Sequence, residues 1–482
     1  MSIIDWVIVV AYLIAMLVIG FFAQGKIQTM DDFILGGKRF GKIALIGTIV
    51  ATMVGSGMTM GAVGTAYNKG STSTVGWMYF GFATGLVVMG LIAPKIRETG
   101  ARSLAEMIYI KYGKGPRLAM ALVVTFYAVA MVSINIAGIR TVAMSCFNLD
   151  ESKLVLVTVI AAVVAIVYTS VGGLYAVVWT DVAQFAIMFV GVFLIAPIVG
   201  LVKSGGVANM EAAMQAAGAS FTKPFSHGIS AGMIGMMLAY FLSSPGDPTM
   251  PQRALAARNS EDAKTSFLVS GGIGYYMGIA LIVIGCAVRV IIPGIENANQ
   301  VLPTFILQCF PTAVRSLMIA GLLAAIMSSF DSFLILGTTH VMYDIGRTVK
   351  PDLTDEKIKK SLPIFTVLFG VLGIIVALYI SSLFDFLYVV FSIMGAAVCP
   401  AMFSALLWRE KTSAAGALAS IIVGTVVPTY LYLTKGYDVW LGDPIFLGLI
   451  ASIVALILFS IVIKDKKSVA EYEAEARADA AE

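Results

Sequence analysis

The chain has 482 residues, 59% of them hydrophobic and only 12% charged, with 32 Lys and Arg against 28 Asp and Glu for a net charge of +4. A soluble domain carries about a quarter charged residues, so this composition excludes a soluble enzyme, a disordered scaffold and a nucleic-acid binder with a basic face. The apolar residues fall in blocks of about twenty or more, each long enough to cross a roughly 30 Å hydrocarbon layer as a helix. The pattern is that of an all-α, polytopic membrane protein.

Taken in chain order between charge-bearing breaks, the apolar runs predict thirteen transmembrane spans, near residues 3–23, 42–68, 73–95, 117–146, 153–171, 176–202, 228–252, 265–293, 313–343, 361–381, 384–408, 413–434 and 443–463. The first is expected to be retained rather than cleaved. Asp5 stands where a signal peptide has basic residues, and no small-residue cleavage site follows the run from Val7 to Phe22. Three quarters of the 32 Lys and Arg fall in the loops of one side, which by the positive-inside rule places the N-terminus outside and the C-terminus in the cytoplasm. Residues 1–463 read as one transmembrane domain. Residues 464–482, polar and rich in Ala and Glu, read as a frayed cytoplasmic helix.

Two spans depart from simple rods. Span 2 carries Ala51-Thr52-Met53-Val54-Gly55-Ser56-Gly57, with small and hydroxyl residues where lipid-facing leucines belong. Span 7 ends with Pro245, Pro248 and Pro251 around Asp247, and proline removes a backbone donor while clashing with the preceding turn. Unwound backbone at membrane depth survives only when buried in protein or lining a cavity. Inverted-repeat transporters place such breaks at matching positions in their two halves, where the half-helix ends bind ions and substrate. Spans 2 and 7 are five apart, so each opens a five-helix repeat, and the odd offset makes the repeats opposite in orientation.

Ionisable groups inside the spans are few, and an Asp at a helix centre costs roughly 2.5–3.5 kcal/mol on insertion scales, so each needs a partner. Arg140, near the end of span 4, has room to snorkel outward or pair with an Asp. Asp181 lies near the start of span 6 and Asp331 in the middle of span 9. In span 9, Ser328, Asp331 and Ser332 stand at i, i+3 and i+4, on one helical face. Two hydroxyls and a carboxylate there offer hard oxygen ligands for an alkali cation. Asp247, beside the proline break, reads equally as a cavity-facing group or a helix-end cap. Cys146, Cys286, Cys309 and Cys399 have neither metal-ligand spacing nor a disulfide framework, and His227 and His340 are too isolated for a metal site. No nucleophile–base or metal constellation of an enzyme is visible.

Four strings together resemble the sodium:solute symporter family, over essentially the whole chain: Tyr168-Thr-Ser-Val-Gly172-Gly173-Leu-Tyr-Ala176 with Trp179-Thr-Asp181-Val-Ala-Gln184; Ala324-Ala-Ile-Met-Ser-Ser329; Lys411 with Gly416-Ala417 and the run Ser420 to Gly424; and Gln252-Arg253-Ala-Leu-Ala-Ala-Arg258. Each is moderately specific, and their order along thirteen spans makes the resemblance strong. It implies a LeuT-type five-plus-five inverted repeat, repeat one over about 42–202 and repeat two over about 228–408, with one leading and two trailing helices.

The resemblance further implies sodium-coupled symport of a small organic solute across the cell (inner) membrane by alternating access. Its principal sodium site would fall on Ala51 and Val54 of span 2 and Ala325, Ser328 and Ser329 of span 9. A second cation site, present in some members, would use Asp181, Ser328 and Ser332, with Asp331 standing where some relatives have a serine. The solute would lie between the two breaks, near Thr52, Met53, Ser56, Tyr240, Ser244, Asp247 and Gln252. Met53 replaces a carboxylate of the proline-carrying branch, and the pocket holds few sugar-stacking side chains, so an amino acid or small organic acid is favoured over a hexose. Sodium, the solute and the lipid bilayer are the expected partners, with no nucleic acid and no obligatory protein partner. A proton-coupled carrier of the same fold and a solute-sensing relative are the alternatives.

Overall fold

A computed structural model describes residues 3–24, 28–70, 75–147, 151–223, 229, 231–434 and 443–481. Every regular element among them is helical. Among the described residues nine helices are long and apolar enough to cross a membrane, and a tenth crossing forms if the bent pair Lys42–Met53 and Gly57–Lys69 is taken as one span. The remaining expected spans are also helical: Ile3–Gln24 for span 1, the first part of Glu151–Met188 for span 5, and Ala231–Gly246 with Thr249–Ala256 for span 7. His227 lies outside the described residues, as do the side chains of residues 167–172 in the span 5–6 string.

Burial sorts these helices into a core and a rim. Span 9 is 94% buried along its apolar window, whereas spans 10, 12 and 13 are each 33% buried. The exposed residues of span 10, Ile364, Val367, Leu368, Val371, Leu372 and Ile375, recur at three- and four-residue steps. Span 13 repeats the pattern with Ile450, Ile453, Val454, Ile457, Leu458 and Ile461. A stripe of bare aliphatics on one helical face has no place in water and fits lipid. The core instead packs through small residues. A Cβ on Gly85 of span 3 would sit 2.2 Å from the Phe241 carbonyl oxygen of span 7, so the two backbones touch, as small-residue faces permit in membranes.

Three breaks interrupt the helices. Span 2 runs as Lys42–Met53, leaves helical geometry at Val54 (φ −99°, ψ 41°), and resumes through a π-helical turn Gly57–Gly61 into Ala62–Lys69; the halves meet at 65°. Span 7 stops at Gly246 and restarts at Thr249, where Asp247 accepts from the Thr249 backbone N–H at 2.8 Å and its hydroxyl at 2.7 Å. The same carboxylate therefore caps the second half-helix, whose first amides lack intrahelical partners. Spans 5 and 6 join without a loop, the helix Glu151–Met188 turning only at Gly173 (φ 51°, ψ −164°). A side chain there would be strained by the positive φ and would place its Cβ 2.8 Å from the Phe33 ring. Further π-helical turns lie in span 6 at Phe189–Ile195 and at the end of span 9 at His340–Ile345.

Residues 469–481 form a helix that is docked on the rest of the molecule and not frayed. Helix Val469–Ala481 docks on helix Leu104–Tyr112, burying Ala476. Lys111 pairs with Glu473 at 2.6 Å, Tyr109 hydrogen-bonds Asp479, and Arg409 pairs with Asp465 at 2.8 Å just before the helix.

Candidate functional site

At the break of span 2 the carbonyls at the end of the first half-helix lose their usual i+4 partners. Span 9 supplies hydroxyls in their place. Ser328 Oγ donates within 3.0 Å of the Ala51 oxygen and 2.9 Å of the Ala325 oxygen. Ser329 Oγ lies 2.8 Å from the Thr52 oxygen and 3.4 Å from that of Ala325. Val54 is buried at the break, and a Cβ on Gly55 would stand 3.0 Å from both Ser329 Oγ and Asn135 Oδ1. The structure thus brings Ala51, Ala325, Ser328 and Ser329 to one junction, with the Thr52 carbonyl as an addition. All the converging donors are oxygens, and hydroxyls can turn a lone pair toward a cation. Such a hard, neutral set suits an alkali ion better than a transition metal. Among the described residues no group of three His, Cys, Asp or Glu could hold a metal.

The polar group at the opposite side of the junction is larger than the sequence suggested. Asp181 is fully buried and accepts from Thr48 Oγ1 at 2.5 Å. Arg253, on the second half-helix of span 7, is also fully buried, with Nη2 at 3.8 Å from Asp181 Oδ2. The same nitrogen donates to Thr52 Oγ1 at 2.8 Å, to Thr48 Oγ1 at 3.3 Å and to Ser332 Oγ. Asp331 is buried one residue before Ser332. Tyr12 of span 1, which accepts from Gln184 at 2.9 Å, sits within electrostatic reach of both Asp181 and Asp331.

Between the two breaks lies a small cavity of about 20 Å³, roughly the space one water needs. The helices have closed around it. Of the residues expected there, Thr52, Met53, Ser56 and Asp247 line it. Tyr240, Ser244 and Gln252 do not: Tyr240 stacks on Tyr388 (centroids 6.4 Å apart), Ser244 bonds the Phe82 oxygen at 2.7 Å, and Gln252 bonds the Ile34 oxygen at 3.0 Å. The lining also includes Asn135 and the rings of Phe82, Phe333 and Phe391, so flat apolar surface is more abundant than the local strings indicated. Asn135 carried a readable sign, a lone amide inside an apolar span. The three phenylalanines carried none, because apolar residues in apolar runs look alike.

Each broken helix is fixed from outside the break. Ser56 donates to the Ile134 oxygen at 2.8 Å and its N–H reaches Asn135 Oδ1 at 3.2 Å, while Tyr79 donates to the Met58 oxygen at 2.6 Å. On the side of the Lys- and Arg-rich loops, the backbone just before span 2 is tied to the end of span 7, the Phe40 N–H lying 3.4 Å from the Ala256 oxygen and the Arg258 N–H 2.9 Å from the Phe40 oxygen. On the other side, Tyr67 ties the second half of span 2 to the Ile292 oxygen at 3.0 Å. Arg140, half-buried in span 4, leaves its Nε without a hydrogen-bond partner. The four cysteines are free thiols, and buried His340 bonds the Leu336 oxygen at 2.9 Å.

An all-helical membrane protein with a helix broken around an oxygen-lined junction and clamped on both sides is built as a carrier of the broken-helix type. A model of the sodium:solute symporter family matches residues 33–424, and the chain belongs to that family. It is similar to the sodium/sialic acid symporter NanT of Aliivibrio fischeri, 23% identical with 94% of this chain and 92% of the relative covered. It is also similar to the osmoregulated proline transporter OpuE of Bacillus subtilis, 27% identical with 94% of each covered. In three dimensions it resembles a Na+-coupled sialic acid symporter solved in a substrate-bound, outward-open state, with a TM-score of 0.83 at 20% identity over 97% of this chain and 99% of that one. The nucleobase-cation-symport-1 transporter Mhp1 shares the architecture more loosely, at a TM-score of 0.59 and 12% identity over 90% of this chain and 96% of that one.

Proposed function

We propose that this protein is a sodium-coupled symporter that carries a small organic solute, an amino acid or organic acid, by alternating access. The observation that carries the reading is the junction at which Ser328 and Ser329 of span 9 meet the Ala51 and Thr52 carbonyls at the break of span 2. Sodium seated among Ala51, Val54, Ala325, Ser328 and Ser329 bridges the two helices and favours the conformation in which the solute binds between the breaks. Coupling is then the difference in each ligand's affinity between the two states, and it is reciprocal. Spans 2–6 and 7–11 form the two inverted repeats, with one leading and two trailing helices, the N-terminus lies outside, and the membrane potential adds about 2.3 kcal/mol per charge per 100 mV to inward movement.

Replacing Ser329 with Ala removes one oxygen of the set and should raise the sodium concentration for half-maximal uptake about tenfold, equivalent to about 1.4 kcal/mol. Unchanged sodium dependence in proteoliposomes would remove the assignment. A thermal-shift screen of purified protein against amino acids, organic acids, sugars and vitamins, in sodium and in potassium, identifies the solute. A compound that stabilises only in sodium establishes coupling, whereas uptake driven by a pH gradient without sodium would replace it with proton coupling.

A further inference from the structure

A groove of about 570 Å³ opens between spans 7, 11 and 13, against about 20 Å³ for the cavity at the breaks. Its long wall is span 13, where Leu449, Ile453, Leu456, Ile457 and Ile461 fall on one helical face. From Leu449 to Ile461 that wall rises about 18 Å at 1.5 Å per residue. One half of a 30 Å hydrocarbon layer is roughly 15 Å, so the groove has the length of a single leaflet. Pro400 and Phe403 of span 11 form the facing wall. Hydroxyls and charge are confined to one end, where Ser404, Trp408, Lys411, Thr412 and Ser460 lie. The ends of spans 11 and 13 meet there, the Ser413 N–H lying 3.0 Å from Ser460 Oγ, on the side of the Lys- and Arg-rich loops. We propose that this groove is a binding site for one anionic phospholipid, with its acyl chains along span 13 and its phosphate on Lys411.

Charge selects the occupant. Arg409 spends its guanidinium on Asp465 at 2.8 Å and on the Thr412 oxygen at 2.6 Å. Lys411 differs: it is exposed, and among the described residues no carboxylate pairs with its ammonium. A basic side chain at the mouth of a crevice between membrane helices attracts an anionic head group. Trp408, 56% exposed beside it, is a residue type that settles at the head-group level. A second copy of the chain fits this end poorly. Three quarters of the Lys and Arg lie on this side, so two copies would bring like charges together where one lipid phosphate neutralises them. The site also touches a broken helix. Leu242 of span 7 lines the groove one turn before the break at Gly246, and its oxygen accepts from Cys399 Sγ at 3.1 Å. A lipid seated there braces the first half of span 7 from behind, whichever ion or solute the carrier moves.

The test is native mass spectrometry of the purified, delipidated full-length chain, titrated with phosphatidylglycerol and, separately, with phosphatidylcholine. One phosphatidylglycerol per chain is expected to bind more tightly than phosphatidylcholine. Lys411→Gln should weaken phosphatidylglycerol about fivefold, the worth of one lysine beside an anionic head group, and leave phosphatidylcholine unchanged. Lys357→Gln, an exposed lysine on the same side, should change neither. Ile457→Trp, which fills the groove, should weaken both lipids. Equal affinity for the two lipids, or the same loss in Lys357→Gln as in Lys411→Gln, would overturn the site. Dimers that Ile457→Trp splits would overturn it too, assigning the groove to a second copy. If Ile457→Trp does not fold, brominated phosphatidylglycerol gives the location: it should quench wild-type fluorescence more than that of Trp408→Phe, and equal quenching refutes the groove.

Discussion

One side-chain amide holds the unwound backbone of span 2. Asn135 Oδ1 takes the Ser56 N–H at 3.2 Å, and Asn135 Nδ2 is itself held by the Met131 oxygen at 2.8 Å. Asn135→Ala leaves a buried backbone donor unmet, a loss of about 1–3 kcal/mol. A lower thermal midpoint in both sodium and potassium is expected, together with weaker solute binding, because Asn135 also lines the cavity. An unchanged midpoint would show that the break supports itself. At this scale the sequence was readable wherever a polar residue interrupts an apolar run: Asp181, Ser328, Asp331 and Ser332 stood out for that reason, whereas Ser329 entered through the family resemblance. Arg253 did not reveal its role. It sits five residues before Arg258, at the end of span 7, where a helix terminus explains it adequately, and its partners come from spans 2, 6 and 9. Only the fold joins them.

Elements are limited by how closely they can approach. The second half of span 2 seats against the backbone near Ala298, and a Cβ on Gly64 would fall 2.1 Å from the Ala298 oxygen. Backbone cannot yield there as a side chain can. Gly64→Ala should raise amide hydrogen exchange of residues 62–69 and slow uptake; protection equal to the wild type would refute close seating. The helix Val207–Ala216 depends on a different device. Burial alone would raise the Glu211 carboxyl, but bonds from Thr222, Ser220, Phe221 and Gln215 outweigh it and hold it down at about 2 against an ordinary 4.5. A carboxyl depressed in the folded state lends stability above its unfolded value, and that stability is lost as pH falls through the folded one. Exchange of residues 204–223 should therefore increase between about pH 4.5 and 2, and Glu211→Gln should abolish the dependence. The helices themselves were legible because their apolar runs are long. The π-helical turns and the loop-free joint at Gly173 were not, since neither changes hydropathy.

Across the whole molecule the lipid-facing stripes and the buried span 9 follow from composition and periodicity, which is why the class of protein was readable before any contact was known. The docked helix Val469–Ala481 was not readable: an Ala- and Glu-rich segment is polar all round, and its seat is built from charges on other segments. Lys111–Glu473 and Lys114–Asp479 are partly exposed pairs at 2.6 and 3.7 Å, each worth up to about 1 kcal/mol. Salt shortens the Debye length from about 10 Å at 0.1 M to about 3 Å at 1 M. Raising salt, or introducing Glu473→Lys at low salt, should increase amide exchange of residues 469–481 while leaving span 9 protected. No change under either condition would mean that apolar contacts around Ala476 hold the helix alone.

The turn at Gly173 has a mechanical consequence. Two helical segments meet there through one residue, wedged against Phe33, with no loop between them. A tilt of span 5 relative to span 6 pivots at this single residue, and Asp181 lies only about two turns beyond the pivot. Spans 5 and 6 thus work as a single bent rod with its elbow at the membrane edge and the carboxylate on its forearm.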